Sequence, residues 1–285
     1  MSALSKLRGG NSAPVQIFSA NVESSVSNVF ARMQSNKPAN FTERPAKKLF
    51  TPSRFKIQQI SEAEQAQGIT TRTKQIVVLD DKFTFGMKEH SLQGPDGKWV
   101  TERCLSEWDT CPLCSRDNVS VYDVALLTVL DLTPWTKTNP DGTTTEYAYT
   151  KRVLAVKKGD LAAFSGLLNV HGSFRGLILN MTRGTAPKKT ASGDPTFVGI
   201  LTEDEMISEF GSAEVLSEKG NVIRPANDTI FPFNYDRFYP VPSRSELSRK
   251  YDIPARPGSV EEFTNNNDDD SVFVMDLSEE LPDVE

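Results

Sequence analysis

Two long apolar runs dominate the hydrophobic pattern of this chain, Val121 to Leu132 (VYDVALLTVLDL) and Tyr147 to Val156 (YAYTKRVLAV). Both are rich in β-branched and aromatic residues, and Asn139-Pro140-Asp141-Gly142 between them is a turn sequence, so a major hairpin is expected. Shorter strands are expected at Gln75 to Leu79, at Phe83 to Phe85 and through Trp99, with the Gly94-Pro95-Asp96-Gly97 turn leading into the last. Phe174 to Met181 and Thr196 to Leu201 continue the β composition. Helical spacing is confined to short stretches. Val22, Val26, Val29, Phe30 and Met33 follow Asn21 as a candidate N-cap, Asp160 caps a segment ending at Leu168, and Glu203 to Phe210 forms a third. Thr182 to Pro195 reads as a basic loop, and the Pro-rich stretch from Ile223 to Arg256 as a surface wrap. No internal repeat is present. The expected fold class is mainly β with minor α. A small, partly open barrel of the OB type fits the pattern, and so does an unspecified α+β sheet domain.

Composition adds tails to this core. Of 285 residues only 38 % are apolar, with 17 Pro and 17 Gly, which suits a mid-sized core carrying unstructured arms. Residues 1–20 are rich in Ser, Gly and Asn and read as a mobile arm. The net charge of -6 is unevenly spread: ten acidic residues and no Lys or Arg lie between Glu261 and Glu285. The first 260 residues therefore hold 32 basic and 28 acidic side chains, a net of about +4. No signal peptide and no run long enough to span a bilayer is recognisable, so a soluble cytoplasmic protein without membrane partners is expected.

Three cysteines, two of them spaced Cys-x-x-Cys, fit metal ligation in a reducing compartment better than a disulfide framework. Cys111-Pro112-Leu113-Cys114 supplies two thiolates from one turn, and Cys104 precedes it by a short loop. The fourth ligand is expected to be His90, which the Gly94 to Gly97 turn folds back toward Cys104; His171 lies beyond two long strands. One zinc ion held by His90, Cys104, Cys111 and Cys114 is expected, and four protein donors close its shell, which points to a structural role. A zinc-dependent nuclease or deaminase is the alternative, but His90 is followed by Ser91 and Leu92 rather than by a glutamate two positions on. Pro112 falls between the cysteines rather than before them. Neither a His-Glu-x-x-His motif nor a phosphate-binding Gly-Lys loop occurs. No enzymatic activity is expected.

The order His90, Gly97-Lys98-Trp99, Cys104 and Asp109-Thr110-Cys111-Pro112-Leu113-Cys114 resembles the T4-type bacteriophage single-stranded DNA-binding proteins. The similarity spans about residues 75–160, weakens toward 240 and is absent from the N-terminal arm. It implies an OB-type core with an inserted zinc knuckle, a protein that coats single-stranded DNA in replication, recombination and repair, an N-terminal region for self-association, and an acidic tail that recruits replication and recombination proteins. The family's basic N-terminal motif is missing, since only Lys6 and Arg8 are basic among the first ten residues. The corresponding division is an arm at 1–40, a core at 41–256 with a zinc subdomain at about 86–118, and an acidic tail at 257–285 expected to be disordered.

Single strands are held by cations following the phosphates and by aromatic faces under the bases. Candidates are Tyr147, Tyr149, Lys151 and Arg152 on one expected strand, then Phe174 and Arg175. Arg183, Lys188 and Lys189 extend the path on one side and Lys47, Lys48 and Arg54 on the other. For the strand aromatics core packing is an equal expectation. In the tail, Asp268, Asp269 and Asp270 precede Phe273, Met275 and Leu277, an acidic and apolar combination suited to a partner's basic groove. A zinc-stabilised transcription or interaction factor remains the other binding-protein alternative.

Overall fold

The computed structural model describes residues 51–94, 97–117, 119–185, 191–217 and 221–253. The helix expected near Val22 and the acidic tail lie outside these residues. Nine strands build the centre: β1 (Thr71–Val78), β2 (Phe85–Gln93), β3 (Trp99–Arg103), β4 (Ser120–Asp131), β5 (Trp135–Thr138), β6 (Thr144–Tyr147), β7 (Thr150–Lys157), β8 (Leu177–Gly184) and β9 (Asp194–Ile200). Seven of them form one antiparallel sheet in the order β3-β2-β4-β1-β8-β9, with β7 also paired to β4. The sheet is open and forms no closed barrel among the described residues.

β4 organises it. β2 pairs with Ser120 to Leu126 and β1 with Val129 to Asp131, so these two share one edge of β4 end to end, while β7 takes the other edge from Val124 to Asp131. That explains the continuous apolar run, because both faces of β4 are covered. Ala125, Leu127 and Val129 pack with Leu154, Phe174 and α2 (Leu161–His171), whereas Val124 and Leu126 face Tyr235 and Tyr239. Leu130 joins Leu79, Met206 and Phe210 on α3 (Glu203–Phe210). α1 (Glu62–Ala66) is a single exposed turn.

The expected major hairpin is real as a pairing but not as a connection. Between β4 and β7 the chain leaves the sheet to form the separate β5–β6 ribbon, and Asn139 to Gly142 turns that ribbon. Tyr147 ends β6, Tyr149 lies in the connection and Lys151 belongs to β7, so the three do not share one strand. α2 begins after Asp160 as expected, yet the Asp160 side chain makes no cap hydrogen bond; the helix ends at Gly172, whose φ of 77° supplies the left-handed stop. α3 has the expected bounds because Thr202 and Glu205 form a capping box.

The Pro-rich stretch does more than wrap. Just ahead of it β10 (Val215–Leu216) pairs with β11 (Val222–Arg224), and the stretch itself then holds a 3₁₀ turn (Asp228–Ile230), α4 (Tyr235–Phe238) and α5 (Arg244–Lys250). The segment is pinned to β4 by a buried network. Asp80 accepts from the Thr128 N–H and from the Tyr235 hydroxyl at 2.9 Å, and Phe233 N–H donates to Thr128 Oγ1 at 2.9 Å. Burial raises the Asp80 pKa to about 6 despite these hydrogen bonds. The folded state thus holds the Asp80 proton more tightly than the unfolded chain does. Its stabilising contribution is full below about pH 4 and is lost as pH rises through about 6, each tenfold gain in proton affinity on folding contributing about 1.4 kcal/mol. Between pH 4.5 and pH 7, urea unfolding should show a smaller loss of stability in Asp80→Asn than in wild type; equal losses would contradict this assignment.

Candidate metal centre

The β2–β3 hairpin positions the site. Its turn is closed by Gly94 N–H to Lys98 O at 2.8 Å and Gly97 N–H to Gly94 O at 2.9 Å, with Gly97 at a φ of 75° that favours glycine. Strand alternation sends His90 to one face of β2 and Glu89 and Ser91 to the other. Cys104, directly after β3, donates its N–H to Lys88 O at 2.8 Å, which brings it beside His90. Leu105 O accepts from both Trp108 and Asp109, reversing the chain so that the Cys111 to Cys114 turn closes over the hairpin. Leu113, between the cysteines, is fully buried among Leu92, Leu105, Leu247 and Tyr251, so apolar packing helps to seat the knuckle.

The donor atoms of His90, Cys104, Cys111 and Cys114 all lie within 4.8 Å of one another. His90 Nε2 is 3.2 Å from Cys111 Sγ and 3.8 Å from Cys114 Sγ, and Cys104 Sγ is 3.5 Å from Cys114 Sγ. The last separation is far beyond a disulfide bond. His90, Cys104 and Cys111 are buried and Cys114 is exposed. His90 Nδ1 is buried without a hydrogen-bond partner, so the ring directs its one engaged nitrogen at the sulfurs. The thiols share protons unequally: the hydrogen bond from Cys111 pulls Cys104 well down, with His90 and Ser106 adding, while the same bond and burial push Cys111 up. Burial raises Cys114. A clustered thiolate and imidazole set of this kind can hold a soft or borderline metal ion. His171 takes no part; its ring stacks on Phe197 at 4.3 Å.

On the other face of the same hairpin a groove is lined by Trp99, Thr101, Ser91, Tyr122, Lys56 and Lys157. Registers Gln93↔Trp99, Ser91↔Thr101 and Glu89↔Tyr122 set these side chains in adjacent rows. Trp99 is 70 % exposed, the largest exposure among the described large apolar residues. Lys157 lies over the Tyr122 ring at 3.9 Å.

The residues expected to bind DNA are placed less simply. Phe174 is a correction: it is fully buried between Phe83 and Phe164 and offers no face to a base. Arg54 is bound by both oxygens of buried Glu89, and Arg175 by Glu203 and the carbonyls of Leu79 and Ile230. Arg183 donates to Ile57 O, Lys151 donates to Asp228 O at 2.8 Å, and Arg152 lies 3.2 Å from Asp131. Tyr149 packs edge-on against Phe210, while Tyr147 is exposed and stacked on Trp135. Lys47, Lys48, Lys188, Lys189 and the tail residues lie outside the described residues. Trp99, Tyr122, Lys157 and Trp135 are not among the site residues expected from the sequence. For Trp99 the available signal is its place on the strand after the turn, beside the candidate metal ligands; Tyr122 and Lys157 meet only through the β4–β7 register.

No family model matches the chain, and no curated protein or solved structure matches it either.

Proposed function

We propose that this protein binds single-stranded DNA without sequence preference, coating and protecting it, and that a structural zinc ion stiffens the hairpin that carries part of the binding face. The observation that carries this reading is the groove opposite the metal centre. A tryptophan left mostly in solvent beside a tyrosine and two lysines is the combination that stacks bases and neutralises phosphates. The resemblance around His90, Gly97-Lys98-Trp99 and the cysteines supports the same reading. Zinc fits the donor set: with Zn–S at about 2.3 Å and Zn–N at about 2.0 to 2.1 Å, tetrahedral edges come to about 3.5 to 3.8 Å. The separations of 3.2, 3.5 and 3.8 Å lie close to those edges, and all four donor atoms are within 4.8 Å of one another.

Four protein donors fill the tetrahedron, so the ion supplies stability rather than an open position for water, and the protein carries out no chemistry of its own. On this reading the open sheet is an OB-type core, and the acidic tail recruits replication and recombination proteins from the cytoplasm around it. The testing experiment is titration with an oligothymidylate and a matching duplex at two salt concentrations, since a phosphate-tracking groove loses affinity steeply as salt rises.

A further inference from the structure

We infer that the β5–β6 ribbon is a second, separate stacking station for single-stranded DNA, built from Trp135, Tyr147 and Lys137. The inference rests on the single-strand reading above and adds to it a site remote from the Trp99 groove.

The ribbon stands apart from the main sheet, and every residue of both its strands is exposed. A two-stranded ribbon alone is marginal in water, so something must hold it. At its tip, Asp141 Oδ1 accepts from the Thr143 N–H at 2.8 Å and from its hydroxyl at 2.6 Å, and the Asn139 amide donates to Thr143 and Thr145. At its base, Trp135 and Tyr147 are cross-strand partners with ring centroids 4.4 Å apart and planes 11° from parallel. Each ring therefore spends one face on the other and leaves its second toward solvent, in keeping with exposures of 42 % and 38 %. A base laid on either outer face extends an existing stack, with no side chain to reorganise.

Charge distribution selects the occupant. Strand alternation and the Lys137↔Thr145 register put Lys137 on the same face as Trp135 and Tyr147, whereas Glu146, opposite Thr136, is on the other face. The aromatic face is thus the cationic one, matched to a base and its phosphate. The ribbon leaves the sheet after Asp131, and the Trp99 groove reaches Tyr122 near the start of β4, a 12-residue strand. Tyr122 and the point where the ribbon departs are thus separated by about 30 Å of β4, so a strand engaging both stations follows β4.

The test uses the full chain and dye-labelled dT16, followed by anisotropy. Trp135→Ala should weaken binding about 10-fold and Trp135→Phe by less, because phenylalanine keeps a face to stack on. Lys137→Gln should lower the salt dependence by about one counterion. In Trp99→Phe protein, dT16 should still quench emission from Trp135, and Trp99→Phe/Trp135→Phe should lose that quenching. If wild type binds dT16 but Trp135→Ala binds within two-fold of it and the quenching in Trp99→Phe is absent, the ribbon is not a station and the single-strand reading stands. If wild type fails to bind dT16, that reading fails and the ribbon's role goes with it. A ribbon merely stapled by its aromatics would change melting temperature without moving quenching or salt slope.

Discussion

Replacing Cys111 with serine should abolish zinc binding and loosen the β2–β3 knuckle. Wild-type protein is expected to carry about one zinc per chain by elemental analysis, and Cys111→Ser close to none. A structural zinc supplies on the order of 10 kcal/mol in small domains that cannot fold without it. Here the loss should be smaller, several kcal/mol, because β2 remains paired to β4 along Phe85 to Ser91 and Leu113 still has an apolar cluster to enter. Hydrogen exchange gives the location. Amides from Lys88 to Asp117 should exchange faster while those of β1 and β8, paired over Thr71 to Val77, keep their protection. Chelation of wild type should reproduce the pattern. Uniform protection after zinc removal would mean that packing alone holds the knuckle.

Arg54→Met should cost about 3 to 5 kcal/mol, although Arg54 lies at a groove wall where the sequence suggests a phosphate contact. Its guanidinium grips Glu89, whose side chain is only 1 % exposed, at 2.8 and 2.5 Å. Burial works against the Arg54 charge, yet the Glu89 hydrogen bonds and charge outweigh it and hold the guanidinium above its ordinary range. Removing the arginine strands a buried carboxylate. Removing both partners does not, so Arg54→Met/Glu89→Met should recover most of the loss in urea unfolding. A double variant as unstable as the single would show that the bond to Val153 O through Phe55 N, rather than the ion pair, is what Arg54→Met disturbs.

These two cases mark what the chain disclosed. The candidate metal cluster was legible because a Cys-x-x-Cys turn, a nearby cysteine and one histidine behind a Gly-rich turn are all local to about 25 residues. α3 was legible for the same reason, with Thr202, Glu205 and Gly211 marking its ends. Arg54 and Arg175 were not, because their carboxylate partners are 35 and 28 residues away. Phe174 looked like a strand aromatic with a free face, and only the docking of α2 and Phe83 buries it. Tyr235, Tyr239, Leu247 and Tyr251 hid in a Pro-rich stretch; their burial depends on the faces of β2 and β4 they cover. The ribbon was missed because a strand run that resumes after a turn reads as one hairpin, whatever leaves the sheet between.

The most direct test of the central claim is the affinity of the purified protein for dT16 and for a 16-base-pair duplex, measured at 50 and 200 mM salt. Single-strand binding at least about 10-fold tighter than duplex binding, weakening steeply with salt, is the expected result. Equal or tighter duplex binding would contradict it.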